Sequence, residues 1–256
     1  MFEVNIDEKY IINQHGTSEG AQIKYYKDGF WYKIDNRGNE GLAEYLVSSM
    51  LRFSSLEDNE YVLYEQGIIN GKPGCRSKNF LDSNNELVTI YRLYMNEYGR
   101  NLAEVIASME TMDERIEYVV RFIKECCGFD IKEYFSKVFT LDAIVLNEDR
   151  HFNNLALIAK DNIFEPAPLF DNGISLLTAN LSVSAKASIE DNVKRVVARP
   201  FSGSFKNMRE YFGDGFSLDV EGALDWLSNE SPSFERDVLI YQLKQVGRRT
   251  DPMPLS

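Results

Sequence analysis

Asp149, Asn154 and Asp171 have residue types and an order that suit phosphoryl transfer. That chemistry needs one carboxylate to accept the proton of the attacking hydroxyl. It also needs further oxygen ligands for the metal ions that bridge the phosphates. In Leu146-Asn147-Glu148-Asp149-Arg150-His151-Phe152-Asn153-Asn154 the Asp and the last Asn stand five apart, and Leu169-Phe170-Asp171-Asn172-Gly173 supplies a second Asp further on. A bare Asp-x4-Asn pair arises about once by chance in a chain of this size, so its surroundings must carry the weight.

A cation for the phosphates would complete such a site. Lys33 lies amid Trp31, Tyr32 and Ile34 on an expected strand, where an unpaired ammonium would be costly. Glu44, on the helix that follows, is its natural partner, and Glu40 competes for that role. Upstream, Gly16-Thr17-Ser18-Glu19-Gly20-Ala21-Gln22-Ile23-Lys24 is a small-residue loop. Backbone amides around Gly20, Ala21 and Gln22 can cradle phosphates, because glycine lets the main chain approach closely.

The elements that must position these groups fall into two parts. Residues 23–26 and 30–34 flank Asp28-Gly29, a hairpin signal. Residues 40–52 carry apolar side chains at helical spacing, and residues 61–66 and 87–94 are rich in Val, Ile, Leu and Tyr, as strands are. Between those strands, Asn70-Gly71-Lys72-Pro73-Gly74 has the composition of a turn. Past residue 100 helices dominate. Thr111 or Asp113 is expected to cap one that ends at Gly128, and residues 130–146 form a second, nearly all apolar towards its end, running straight into the Asp149 motif. Residues 155–159 and 163–168 read as a second hairpin, and residues 186–198 and 218–246 as further helices. The whole predicts an α+β chain with a small β-rich lobe (residues 1–96) and a mostly helical lobe (residues 97–256).

Bulk properties exclude several classes. The chain has 256 residues, 44% of them hydrophobic and 27% charged, ordinary values for a globular protein. No window is apolar enough to span a membrane, and the N-terminus lacks the pattern of a secretory signal. Three cysteines and two histidines make neither a disulfide framework nor a zinc site. A cytoplasmic location is expected. A net charge of −12 argues against direct nucleic-acid binding, which needs clustered cations.

Taken together, these segments resemble the HipA-type serine/threonine kinases, the toxin kinases of bacterial toxin–antitoxin modules. Thr17-Ser18-Glu19-Gly20-Ala21-Gln22-Ile23-Lys24 is similar to the loop that covers ATP in that family, and Trp31-Tyr32-Lys33-Ile34 to its lysine strand. Ala43-Glu44-Tyr45 resembles its Asn-Glu-Tyr helix segment. Asn147 to Asn154 is similar to its Asn-x-Asp-x-His-x-x-Asn catalytic loop, and Pro168-Leu169-Phe170-Asp171 to its metal motif. The resemblance implies an Mg-ATP-dependent kinase acting on Ser or Thr of a protein substrate. Asp149 would be the base, Asn154 and Asp171 the metal ligands, Lys33 the phosphate anchor and His151 a structural or nucleotide-side residue. Thr17 aligns with the family's regulatory serine and Ser18 stands beside it; self-phosphorylation at either would add charge beside the ATP phosphates and expel the loop. The chain resembles a short, stand-alone form without the N-terminal subdomain of longer members. An antitoxin partner is therefore an expectation only. A small-molecule kinase and a catalytically silent nucleotide-binding regulator are the competing readings.

Overall fold

A computed structural model describes residues 1–12, 22–161, 163–184 and 186–250. Strands β2 (Lys24–Lys27) and β3 (Phe30–Ile34) form the expected antiparallel hairpin. Asp28 and Gly29 both adopt positive φ, 52° and 79°, as a two-residue turn between twisted strands requires. On the other side of β3 runs β5 (Lys72–Lys78), which pairs antiparallel with β4 (Tyr64–Ile69), and β1 (Phe2–Val4) adds a parallel edge. The sheet order is β1-β4-β5-β3-β2.

The turn expected over residues 70–74 is thus shorter than its composition suggests. Only Asn70 and Gly71 turn, at φ 51° and 74°, and Lys72-Pro73-Gly74 already belongs to β5. Gly74 is there for contact. A Cβ at this position would sit 2.2 Å from the carbonyl oxygen of Lys33 and 3.1 Å from Cα of Ile34, and backbone atoms cannot swing aside as a flexible side chain can. Gly74→Ala is expected to cost about 1–3 kcal/mol, as overpacking does. The loss would be read as a lower urea midpoint at unchanged slope.

Helix α1 (Glu40–Met50) lies against this sheet, and Leu46, Val47 and Met50 turn into the main core shared with the helical part. The strand expected over residues 87–94 is corrected. Strand β6 (Glu86–Thr89) gives way at once to helix α2 (Ile90–Tyr98), because the Thr89 hydroxyl accepts from the Arg92 amide and caps the helix. Ile90 and Tyr94, four apart, are its buried positions. Strand β6 pairs with β7 (Ala156–Lys160), which pairs in turn with β8 (Ile163–Pro166). The main chain therefore passes from the five-stranded to the three-stranded sheet over residues 79–85.

The helical part contains α3 (Leu102–Ala107), α4 (Met112–Cys127) and α5 (Lys132–Val145). Helix α4 begins with a reciprocal cap between Thr111 and Glu114 and stops at Gly128, φ 79°. Helix α5 is buried on most sides, as its apolar sequence requires. The helix expected over residues 186–198 shrinks to α6 (Ile189–Val193). Helix α7 (Phe205–Phe212), which no periodicity announced, crosses α5 with Phe212 stacked on Phe139 at 5.3 Å. Helices α8 (Val220–Ser228) and α9 (Phe234–Thr250) occupy the last expected helical stretch. The fold is α+β and two-lobed, with a small β-rich lobe over a mostly helical one. Among the described residues, no helix is long and apolar enough to cross a membrane.

Candidate active site

Helix α5 ends at Leu146, whose left-handed φ of 59° turns the chain sharply into the Asp149 loop. The loop is fixed from inside by Arg150, only 1% exposed. Its guanidinium donates from Nε and Nη2 to the Asp142 carboxylate at 3.0 and 2.9 Å. It also donates to the carbonyls of Asn154 and Phe170, both at 3.1 Å, and to Asn172 Oδ1 at 2.8 Å. One cation thus ties α5, the Asp149 loop and the Asp171 segment together. Burial raises the Asp142 pKa, and the Arg150 charge opposes that rise. Asn147, fully buried, accepts from the Asp149 amide at 3.1 Å and squares the turn.

With its neighbours anchored below, Asp149 points outward, its side chain 43% exposed. Burial is the main cause that pushes its carboxyl above the usual range. The Asp171 charge adds to the rise, and His151, Arg199 and Arg37 oppose it. Asn154 donates from Nδ2 to the Asp149 carbonyl at 3.0 Å. His151 Nε2 stands 3.8 Å from the Asp149 carboxylate, and its Nδ1 is buried without a partner among the described residues.

Asp171 adopts φ 60°, uncommon for a residue other than glycine, and this aims its carboxylate at β3. Lys33 Nζ lies 2.6 Å from Asp171 Oδ1 and 2.7 Å from Glu44 Oε1, with the Tyr64 ring 5.0 Å away. Burial alone would lower the Lys33 pKa, but the two carboxylates overcome it and hold the ammonium well above its ordinary value. For Asp171 too, burial is outweighed by the Lys33 charge, and its pKa falls below the usual carboxylate range. The other oxygen of Glu44 accepts from the Asn172 amide at 2.9 Å, so α1 holds both the lysine and the segment that carries Asp171. Glu40 does not compete. Its carboxylate is taken by the backbone amides of Asn36, Arg37 and Gly38 at 2.7 to 3.2 Å.

Gln22, Lys24, Arg37, Asp149, Asn154 and Asp171 line one pocket between the lobes. His151 stands beside Asp149 and is not among the lining residues. Thr17, Ser18, Gly20 and Ala21 lie outside the described residues. Sequence reasoning missed Lys24 and Arg37 on the pocket wall, and Asp142 and Asn172 beneath it. Asp142 did leave a signal, being the one carboxylate in the run Val138-Phe139-Thr140-Leu141-Asp142-Ala143-Ile144-Val145. A charge there must find a buried partner.

Two carboxylates brace the edges of the site. Glu148 accepts from Asn180 Nδ2 and from the Val197 amide. Glu235, at the start of α9, accepts from Asn39 Nδ2 at 2.9 Å and Thr178 Oγ1 at 3.2 Å, joining the N-cap of α1 to the stretch after Asp171. Nearby, Asp35 accepts from the Gly41 amide at 2.7 Å. Burial, helped by the charges of Glu40 and Glu235, raises its pKa to about 6. A carboxyl whose pKa is raised on folding adds stability below its unfolded value, near 4, and loses it as pH rises through 6. Asp35→Asn should therefore gain stability relative to the parent chain as pH climbs from about 4 to 6. Paired urea melts across that range would check the sign.

No protein-family model and no curated protein matches this sequence. Solved structures do. The Helicobacter pylori proinflammatory kinase CtkA superposes with a TM-score of 0.62 over 95% of this chain and 93% of its own, at 15% identity. The chain shares the fold of that kinase. A chain from the Shewanella oneidensis MR-1 toxin–antitoxin complex of HipA, HipB and operator DNA aligns with 95% of this one at 11% identity, with a TM-score of 0.44. The present chain covers 57% of that longer neighbour. The pocket between the lobes brings Asp149, Asn154 and Asp171 together, and Lys33, not itself among the lining residues, bonds to Asp171 and Glu44 on its wall.

Proposed function

We propose that this chain is an Mg-ATP-dependent kinase that phosphorylates Ser or Thr of a protein. The observation that carries the reading is the Lys33 ammonium held between Glu44 and Asp171, two carboxylates that line one pocket together with Asp149 and Asn154. A fold shared with a kinase supports it.

The donor set fits magnesium. Asp171 offers its second carboxylate oxygen and Asn154 its carboxamide oxygen, both hard donors. Mg²⁺ characteristically takes one or two such groups and fills its other positions with phosphate oxygens and water. When bound, the ion would neutralise charge developing on the transferred phosphoryl group.

The chain's own residues divide the remaining work. Lys33 would anchor the phosphates, and Lys24 and Arg37 would add positive charge along the same wall. Asp149 would accept the proton of the incoming hydroxyl. Its raised pKa brings it closer to the working pH, where a general base is most effective. Thr17 or Ser18 would be the site of inhibitory self-phosphorylation, and the motif resemblance further proposes an antitoxin partner.

The test is incubation of the purified protein with ATP and Mg²⁺, with and without candidate acceptor proteins, followed by mass spectrometry beside Asp149→Ala. Magnesium-dependent phosphate on the chain or an acceptor, absent in the variant, is the expected result. Tight nucleotide binding with no phosphoprotein would move the assignment to a small-molecule kinase or a silent regulator. Failure to bind nucleotide would sink the proposal.

A further inference from the structure

Two apolar side chains beside the Asp149 loop are left out of the core. Leu181 is fully exposed and Val197 55% exposed, whereas their neighbours Val183, Val193 and Val196 pack against the main core. One carboxylate holds both stretches to the Asp149 loop. Glu148, the residue before Asp149, accepts from Asn180 Nδ2, next to Leu181, and from the Val197 amide itself. Arg195 Nη1 donates to the Ser182 carbonyl at 2.9 Å and joins the two stretches directly. The approach to Leu181 is firmly set, with Leu176, Leu177 and Ala179 at left-handed φ of 55°, 64° and 60°. Such backbone persists in residues other than glycine only where surrounding contacts impose it, and it gathers at functional sites. Charge singles out the same rim. In a chain of net charge −12, Lys194 is engaged by Glu190 and Asp191, and Arg195 by Ser182. Arg199, exposed two residues beyond Val197, has no hydrogen bond or ion pair among the described residues. Against the burial that pushes the Asp149 carboxyl up, Arg199 is one of the charges that hold it down.

We propose that this rim docks the acceptor segment of a protein substrate whose Ser or Thr is flanked by acidic and apolar side chains. The inference rests on the kinase reading above and names its substrate class. A free guanidinium presents a fork that matches a carboxylate in both planarity and charge. Exposed leucine and valine side chains gain most from being covered by others of their kind. Successive side chains of an extended segment point to opposite faces, so one face can cover Leu181 and Val197 while a neighbouring position reaches Arg199. Screening limits a surface charge to about 8–10 Å, and an extended segment rises about 3.3 Å per residue. Arg199 should therefore read an acid within about three residues of the acceptor hydroxyl. Nucleic acid suits the rim poorly, since it needs clustered cations and Arg199 stands alone.

The test is fluorescence-anisotropy titration of the full chain with labelled peptides that carry Ala at the acceptor position, so that binding is read without turnover. One peptide has Glu and Leu beside that position, a second has Lys for Glu, and a third has Ser for Leu. Saturable binding of the first is expected, with the other two each at least about threefold weaker, the scale of one exposed ion pair or a partly covered side chain. Arg199→Glu should reverse the order of the Glu and Lys peptides, and Leu181→Ser should erase the advantage of Leu. Both positions are exposed, so neither change threatens the fold. No saturable binding, equal affinity for the Glu and Lys peptides, or an order unchanged in Arg199→Glu would overturn the assignment. Self-association of the chain that is lost in Leu181→Ser would give the rim to a second copy and overturn it too. The same peptides with Ser restored, incubated with Mg²⁺ and ATP, separate the two readings. Binding in the expected order without transfer would remove the kinase reading and leave the docking surface standing. Transfer that ignores Glu and Lys alike would remove the docking surface alone.

Discussion

Asp149→Ala and Asp171→Ala should each all but abolish phosphoryl transfer, and the double variant should fall little further. Loss of a positioned proton acceptor costs roughly 10²–10⁴ in rate. Asp171 holds the Lys33 ammonium at 2.6 Å and is the proposed metal ligand, so its removal disarms the phosphate side of the same assembly. Groups that act as one unit give grossly non-additive losses. Single-turnover rates for the two singles and the double provide the measurement. Additive losses would mean that the two carboxylates serve separate steps. A near-normal rate in Asp149→Ala would remove it from the chemistry.

Arg150→Met is expected to be the most damaging substitution for stability. The guanidinium is buried against Asp142 and serves two backbone carbonyls and Asn172 besides. Its loss leaves an uncompensated carboxylate in the core, which typically costs about 3–5 kcal/mol. The companion variant Asp142→Leu/Arg150→Met should recover part of that loss, because replacing both partners of a buried pair by apolar groups is often near neutral. Equilibrium melts of the two variants give the comparison. A double variant no better than the single would show that the pairing to Asn172 and the carbonyls, rather than the ion pair, sets the cost. In either case the Asp171 segment loses one of its anchors, Glu44 and Lys33 keeping the others, so the proposed nucleotide affinity should fall with stability.

Features that depend on a few adjacent residues are legible in the order of amino acids. Asp28-Gly29 announces its hairpin, Thr111 and Gly128 bound α4, and the apolar end of α5 points to a buried helix feeding the Asp149 loop. Features set by distant contacts are not legible there. Pro73 and Gly74 have turn composition, yet they lie in β5 because glycine alone permits the approach to Lys33. Leu87 to Tyr94 has strand composition, yet Thr89 stops the strand by capping a helix. Helix α7 has too few turns for its periodicity to stand out, and its ring contacts with α5 decide it. At the site, Glu40 and Glu44 stand one turn apart on the same helix face, so spacing could not choose between them. The backbone amides of residues 36–38 make the choice by engaging Glu40.

The passage between the two sheets also says something about how the chain tolerates being cut. Residues 82–84 are exposed, and neither sheet spans them. The five-stranded sheet is complete by Lys78 and the three-stranded one begins at Glu86. Leu46, Val47 and Met50 of α1, meanwhile, are sunk in the core of the larger lobe. A protease nicking this bridge would sever the covalent link and leave the apolar contact intact. Two polypeptides made separately, split at the same point, should find each other and rebuild the pocket between them.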